Sequence, residues 1–393
     1  MRILFVAPRF HTNQVEVIRS LVACGHNVWF HVATIGPVED HSEIVPHLHR
    51  DSLASRLLIR LFGRGVNNFW YLPEPVSYWR EFCTVAPDVA VIRWHNPIFC
   101  WLVGLYARLR GCRVVVYEQI SPDLLAAVWS RGLMGWLRRA RFQMRMRLLD
   151  AAWMTPLPGV APLPSGGFFV PFAVPVAPVR PRPSSAVRLL EIGKFVPRKN
   201  HLTFIRAVAE IARDTPASAT IVGECSTASH RESLEHARSA IEELGLQDRV
   251  SIQCNVPHGG MSAIYDRHDV FVLPASAEPA AISPLEAMGH GLPAVVTDEC
   301  GTKGYIDEGV SGFICRSADV HSLTHAIKRA AYLSEDPATR DVIAGVAERR
   351  FSGDAFLKAF MAMLDHRFGL HGATTRAGMP MSVVASPKTR TPV

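Results

Sequence analysis

The fold class that this sequence predicts is α/β, with two Rossmann-like parallel-sheet domains joined by a linker. Three observations carry it. Strand-length apolar runs alternate with longer helical stretches in both halves of the chain, as in parallel strands joined by crossover helices. A proline-dense stretch, 156–183, divides the halves. A chain of 393 residues with 48% apolar content also has enough material for two cores.

In the first half, 2–7 reads as a buried strand and 14–23 as an amphipathic helix ended by Gly25, with Asn13 as its N-cap and Glu16 three positions on. A second strand follows at 27–34. Residues 40–78 are His-rich and then aromatic, and no element can be assigned there. Strands return at 89–92 and 113–117 around an apolar helix at 99–110. Residues 129–149 read as one helix bearing Arg131, Arg138, Arg139, Arg141, Arg145 and Arg147 with no acid between them. Leu133, Leu137, Ala140, Met144 and Leu148 make an apolar stripe, while Phe142 and Met146 fall on the other side. Such a helix either lies on anionic lipid headgroups or packs its stripe on the sheet with solvated arginines. Residues 166–172 read as the last strand of a first domain, 1–175, and 176–185 as an extended linker.

The second domain, 186–350, opens with a strand at 187–192, a loop at 193–200 and a helix at 201–211. Strands at 219–222, 250–254, 270–273 and 293–296 and helices at 229–244 and 320–333 continue the alternation. A last helix at 351–368 precedes a tail, 369–393, whose composition predicts disorder.

Bulk properties exclude several classes of function. The net charge of +7 suits a phosphorylated substrate or an anionic surface, but no Lys/Arg block resembles a nucleic-acid arm, so no nucleic-acid partner is expected. The eight cysteines are scattered without a C-x-x-C pair or zinc-finger spacing, which reads as reduced thiols of a cytoplasmic protein and signals no metal site. No apolar run reaches membrane-spanning length, and the first apolar run is broken by Pro8 and Arg9, as a strand rather than a signal peptide. The expected location is cytoplasmic, soluble or peripheral on the membrane face.

The chemistry-bearing stretch is 275–293, A-S-A-E-P-A-A-I-S-P-L-E-A-M-G-H-G-L-P. Ser283, Pro284 and Glu286 read as the N-cap, first helical position and capping-box partner of a helix. Glu278 then falls in a loop at the carboxyl end of a strand, beside a helix N-terminus suited to a phosphate. On residue type alone, Glu286 reads as a capping partner and Glu278 as a solvated loop acid. Other loops predicted on the crevice edge carry His11 and Asn13, His95, and Glu118, and His11 reads as a phosphate or acceptor contact or as a solvated loop histidine.

The words E-P-A-A-I-S-P-L-E-A-M-G-H-G-L-P-A-V-V resemble the Glu, seven residues, Glu motif of retaining nucleotide-sugar glycosyltransferases of the two-domain double-Rossmann kind, family 4, called the GT-B type. The usual Phe and Gly after the first Glu are replaced by Ala280 and Ala281, and the usual glycine-rich turn after the first strand is missing. G-K-F-V-P-R-K-N similarly resembles the family's diphosphate-holding loop, and D-E-C-G-T-K-G-Y-I-D-E-G-V-S-G-F-I its later glycine-rich segment. The resemblance implies two domains facing across a cleft, with the last helix crossing back to the first. It implies Glu278 on the transferred sugar, Glu286 on the ribose, and Gly193, Lys194, Arg198 and Lys199 at the diphosphate. Main chain near Ala281, Ile282 and Ser283 adds to the phosphate pocket, and Val256 lies where relatives frame the base. The first domain takes a saccharide or lipid-linked acceptor, with His11, Asn13, His95 and Glu118 on that side; relatives often have a His where Glu118 stands. No cofactor or metal is implied, the nucleotide-sugar, a UDP- or GDP-sugar, being a substrate. Two rivals remain open: a sugar-nucleotide isomerase or epimerase of the same architecture, and a catalytically silent nucleotide-binding scaffold. A dehydrogenase fits less well, since no G-x-G-x-x-G follows either first strand.

Overall fold

Apolar residues recur without polar interruption in most strands, so those strands must be covered on both faces, and the chain meets this requirement twice. The computed structural model describes residues 1–36, 40–63, 69–93, 97–179 and 186–370. The first sheet contains β1 (Arg2–Arg9), β2 (Asn27–Thr34), β3 (His47–Leu48), β4 (Val89–Arg93), β5 (Arg113–Tyr117), β6 (Ala152–Thr155) and β7 (Gly167–Phe169), ordered β3-β2-β1-β4-β5-β6-β7. The second contains β8 (Val187–Ile192), β9 (Ala217–Gly223), β10 (Val250–Cys254), β11 (Val270–Leu273), β12 (Ala294–Thr297) and β13 (Gly312–Cys315), ordered β10-β9-β8-β11-β12-β13. Every ladder between these strands is parallel.

Alternate residues of one strand feed different cores. Ile3, Phe5 and Ala7 point into one cluster and Leu4 and Val6 into another. Leu189 and Leu190 divide in the same way in the second sheet. Strand order reverses between β1 and β4 and between β8 and β11, and ligands of open α/β sheets bind at such switch points. The loops after β1, β8 and β11 are therefore the ones brought to the crevice.

At the opposite edge of the second sheet, Asp269 locks three elements together. Its carboxylate accepts bonds from the Arg188 side chain at 2.9 Å and from Arg340 at 2.7 Å. Burial raises the pKa of Asp269, but these guanidinium bonds outweigh it and hold the group below the usual carboxylate value.

The helix Gly353–Phe368 contributes Phe356, Phe360, Met363 and Leu364 to the first domain's core. Chain exchange also runs the other way, because Leu157, Phe172 and Val174 belong to a core cluster of the second domain. The chain thus begins packing on the second domain well before 176. Of the expected linker 176–185, residues 180–185 lie outside the described residues, as do 371–393 of the tail.

Several local expectations need correction. The helix expected from Gln14 starts at Val15 after a 3-10 turn, Thr12–Gln14, and Asn13 is not its cap; its side-chain oxygen accepts from Gln14 Nε2 at 3.3 Å. The helix expected over 129–149 begins only at Gly132 and runs to Leu149, while Trp129 ends a separate helix, Pro122–Trp129; Gly132 at φ 57° keeps the two from being continuous. Its packing face is Gly135, Phe142 and Leu149, so the Leu133, Leu137, Met144, Leu148 stripe is left exposed. The unassigned 40–78 stretch holds β3, a helix Leu53–Phe62 capped by Ser52, and the start of a helix Pro75–Val85 capped by Glu74.

Candidate active site

The loop after β8 is shaped by its own side chains. Pro197–Lys199 forms a 3-10 turn, and Asn200 follows in the left-handed region at φ 54°, which Asn tolerates better than most residues. The Asn200 carboxamide donates to the Pro274 carbonyl at 3.1 Å and to Ser276 Oγ at 2.6 Å, while Ser276 N–H donates to the Arg198 carbonyl at 2.8 Å. These bonds stitch the loops after β8 and β11 together. Lys199 is buried with its stem against Gly193, where a Cβ would lie 2.9 Å from Lys199 Cδ; Gly193 leaves the room that the lysine occupies. Behind the turn, buried His201 lies 2.7 Å from Glu191 and bonds the Lys194 carbonyl at 3.0 Å.

Two cations converge on one carboxylate. Lys199 Nζ donates to Glu278 Oε2 at 2.7 Å, and the Arg198 guanidinium donates to the same oxygen. Glu278 is only 5% exposed. Burial alone raises its pKa, but Lys199 and then Arg198 outweigh burial and hold the carboxyl below its ordinary value. Glu278 is therefore an anion at neutral pH. Lys194, expected at the diphosphate with Lys199, pairs with Glu224 Oε2 at 2.6 Å. Burial raises the pKa of Glu224, but bonds from Lys194 and Ser226 outweigh it and hold the group below its ordinary value.

The backbone around Glu278 is fixed from the strand β12 side. Ala277 lies at φ 46° and its N–H donates to Glu299 Oε2 at 2.8 Å. The Glu278 carbonyl accepts the Gly301 N–H at 2.8 Å. A Cβ on Gly301 would fall 1.9 Å from the Pro279 carbonyl oxygen, so only glycine fits.

The helix after Glu278 runs Ser283–Gly289, with Ile282 at the cap and no side-chain cap bond. This corrects the expected capping box: the Ile282 carbonyl accepts both the Leu285 and Glu286 N–H groups, which puts Ser283 inside the first turn. Glu286 accepts instead from the hydroxyl of buried Tyr265 at 2.7 Å, and Tyr265 stacks on His290. Ala281 is buried in the core, and Ile282 and Val256 pack against it.

Between the domains lies a cavity of about 900 Å³, with Gln119, Ile120, Ser121, Leu124, Leu157 and Pro158 on one wall and Ala277, Glu278, Pro279, Cys300, Gly301 and Lys303 on the other. Glu278 therefore faces the first domain. Glu118 is buried but absent from that wall, and its charge acts on Arg145. Its neighbour takes the place: Gln119 accepts from Arg93 Nη2 at 2.7 Å and donates to the Tyr117 hydroxyl. The alternation of extended backbone sends 118 and 119 to opposite sides. His11 feels Lys194 of the second domain across the crevice; burial first, then Arg93, Arg9 and Lys194, lower its pKa to about 3, so the imidazole is neutral. His95 lies outside the described residues. A further bridge joins the domains where His258 Nδ1 meets Asp40 Oδ2 at 2.8 Å.

Sequence reasoning missed Asn200, Glu224, Gln119, Tyr265, Gly301 and Asp40. Glu224 left a signal, as a polar residue directly after a strand, and Gln119 stands two residues after one.

Comparison with known proteins agrees with this geometry. Residues 179–345 match the family described as glycosyl transferases group 1. The chain is 32% identical over 190 residues to the lipopolysaccharide core biosynthesis glycosyltransferase LpsD of Rhizobium meliloti (strain 1021), covering 47% of this chain and 50% of that protein. It is 29% identical over 171 residues to the GDP-mannose-dependent alpha-(1-6)-phosphatidylinositol monomannoside mannosyltransferase of Mycolicibacterium smegmatis, covering 42% of each. The matched region spans about half the length, or less, of these relatives. The crystal structure of Anabaena Alr3699/HepE in complex with UDP superposes with a TM-score of 0.65 at 13% identity, over 93% of this chain and 100% of that one, a likeness of fold. Residues 179–345 of the second domain thus resemble the glycosyl transferases group 1, and the two parallel-sheet domains share the fold of the two-domain glycosyltransferase structures.

Proposed function

We propose that the protein transfers a sugar from a nucleotide-sugar, a UDP- or GDP-sugar, to a saccharide or lipid-linked acceptor, with retention of configuration and without a metal or a covalent protein intermediate. The observation that carries this reading is the buried Glu278 held by Lys199 and Arg198 on the wall of the interdomain cavity. As the bond between the anomeric carbon and the phosphate oxygen breaks, its electron pair leaves with the nucleoside diphosphate. Fixed cations stabilise that growing charge more than the ground state. In this reading Lys199 and Arg198 turn from Glu278 to the diphosphate, main chain at Ala281 and Ile282 adds donors, and Glu278 is released to the transferred sugar. Glu286 holds the ribose while Tyr265 fixes its orientation. His11, neutral, and Gln119 meet the acceptor.

Cell-surface polysaccharide or glycoconjugate synthesis fits the lipopolysaccharide core role of LpsD, and a lipid-linked acceptor fits the surface of the first domain. No helix among the described residues is long and apolar enough to cross a membrane. Yet the arginine helix exposes Leu133, Met134, Trp136, Leu137, Met144 and Leu148, a set suited to lying on anionic lipid at the cytoplasmic face.

One experiment separates the readings: nucleotide-sugars are supplied alone, with soluble saccharides, and with lipid-linked acceptors in anionic vesicles, while nucleoside diphosphate and new sugar nucleotides are followed. Diphosphate release that depends on an acceptor, highest with vesicles that also sediment the protein, is the expected result. Conversion of the nucleotide-sugar without an acceptor would instead indicate an isomerase, and failure of every donor to turn over would indicate a scaffold.

A further inference from the structure

Histidines are unusually concentrated at the outer edge of the first sheet. The ladder between β2 and β3 pairs His31 with His47, which puts both side chains on one face, and the two-residue period adds His49. The three rings converge: His31 and His49 have centroids 4.6 Å apart, and His47 stacks on His49 at 4.8 Å. From the helix Pro75–Val85, one carboxylate reaches all three. Glu81 lies 3.2 Å from His47 Nδ1, 3.1 Å from His49 Nδ1 and 3.8 Å from His31 Nε2.

Four features distinguish this cluster from ordinary hydrogen bonding. His31 is fully buried, and its Nε2 has no hydrogen-bond partner among the described residues. The separation from Glu81 is too long for a hydrogen bond. The other ring nitrogen, Nδ1, is held by the Tyr78 hydroxyl at 3.0 Å, the kind of outer contact that fixes the tautomer of a ligating histidine. Ligand atoms from His31, His49 and Glu81 lie within 4.8 Å of one another, a grouping suited to a metal ion. Finally, tetrahedral zinc with bonds of about 2.0–2.1 Å sets its ligand atoms roughly 3.3 Å apart, and the Glu81 distances bracket that spacing.

We propose that His31, His49 and Glu81 form a zinc site. Two imidazoles and a carboxylate are a donor set that zinc accepts, with a water completing tetrahedral geometry. The metal would anchor an edge strand of only two residues, and the turn after it, to β2 and the helix Pro75–Val85. None of these residues lines the interdomain cavity, so the site is separate from sugar transfer. The dispersal of its ligands over 31, 49 and 81 explains why no zinc-finger spacing marks it.

The test uses the full chain stripped of metal by chelator and dialysed against buffered zinc. The expected result is one zinc per chain and a raised melting temperature. Glu81→Gln and His49→Gln should each weaken zinc at least about 100-fold, the upper range for outer-contact mutations and so a floor for a ligand. His236→Gln and His325→Gln, exposed on the second domain, should leave binding unchanged. Zinc binding at one per chain that survives both ligand substitutions would overturn the proposal. Cobalt(II) uptake by the unsubstituted chain gives an answer that does not depend on how the variants fold. Strong visible absorption of a four-coordinate ion is expected, and weak six-coordinate absorption or no uptake would overturn the site.

Discussion

Lys199→Ala lowers kcat/KM by about 10²–10³, the cost typical of removing one fixed donor from a developing oxyanion. The argument rests on position. Lys199 is 7% exposed, its stem is wedged against Gly193, and its ammonium is already desolvated before donor arrives. A charge in that setting needs little reorganisation as the leaving diphosphate gains charge. Glu278→Ala should also lower turnover by orders of magnitude, because the group meeting the transferred sugar is gone. Both variants are expected to keep the far-ultraviolet circular dichroism of the parent, since each leaves the stitching between Asn200, Pro274 and Ser276 intact. Steady-state kinetics on the donor that turns over, with melting curves as the folding control, check this. Near-normal activity in both variants would sink the assignment of the site.

Gly301→Ala is expected to abolish most activity and to cost stability of about 1–3 kcal/mol, the range for forced overpacking. The added Cβ would meet the Pro279 carbonyl oxygen at 1.9 Å, and that oxygen is backbone, so no rotamer change relieves it. Relief requires the 277–279 segment to move away from β12, which breaks the Gly301 N–H bond to the Glu278 carbonyl. Glu278 then leaves its place beside Lys199. Denaturant unfolding measures the stability and kinetics the activity. A variant as stable and as active as the parent would show that this contact does not position Glu278.

Much of the fold was legible because buried parallel strands declare themselves: the β1, β2, β8 and β11 runs are apolar and bounded by Gly, Pro or polar residues. The region 40–78 was not, because a two-residue strand carries no periodicity and the aromatic cluster masked the Ser52 and Glu74 caps. The helix break at Gly132 was hidden by the continuous basic and apolar run around it. At the site, Glu278 and Lys199 were legible from motif and spacing, and the structure brings them together at 2.7 Å. The pairing of Lys194 with Glu224 was not legible, because no spacing in the sequence joins the two. Glu118 holds the position after β5 where relatives often have a His, whereas side-chain alternation decides that its neighbour Gln119 faces the cleft.

The most direct test of the central claim, that Lys199 and Arg198 form a diphosphate seat which Glu278 occupies until donor arrives, is calorimetric titration of UDP and GDP into the parent, Lys199→Ala and Glu278→Ala proteins. The account predicts that the parent binds one of the two nucleotides, that Lys199→Ala weakens it at least about tenfold, roughly 1.4 kcal/mol, and that Glu278→Ala binds it as well or more tightly, since a competing anion has been removed. Equal binding by the parent and Lys199→Ala, or a loss of nucleotide affinity in Glu278→Ala as large as that in Lys199→Ala, would contradict it.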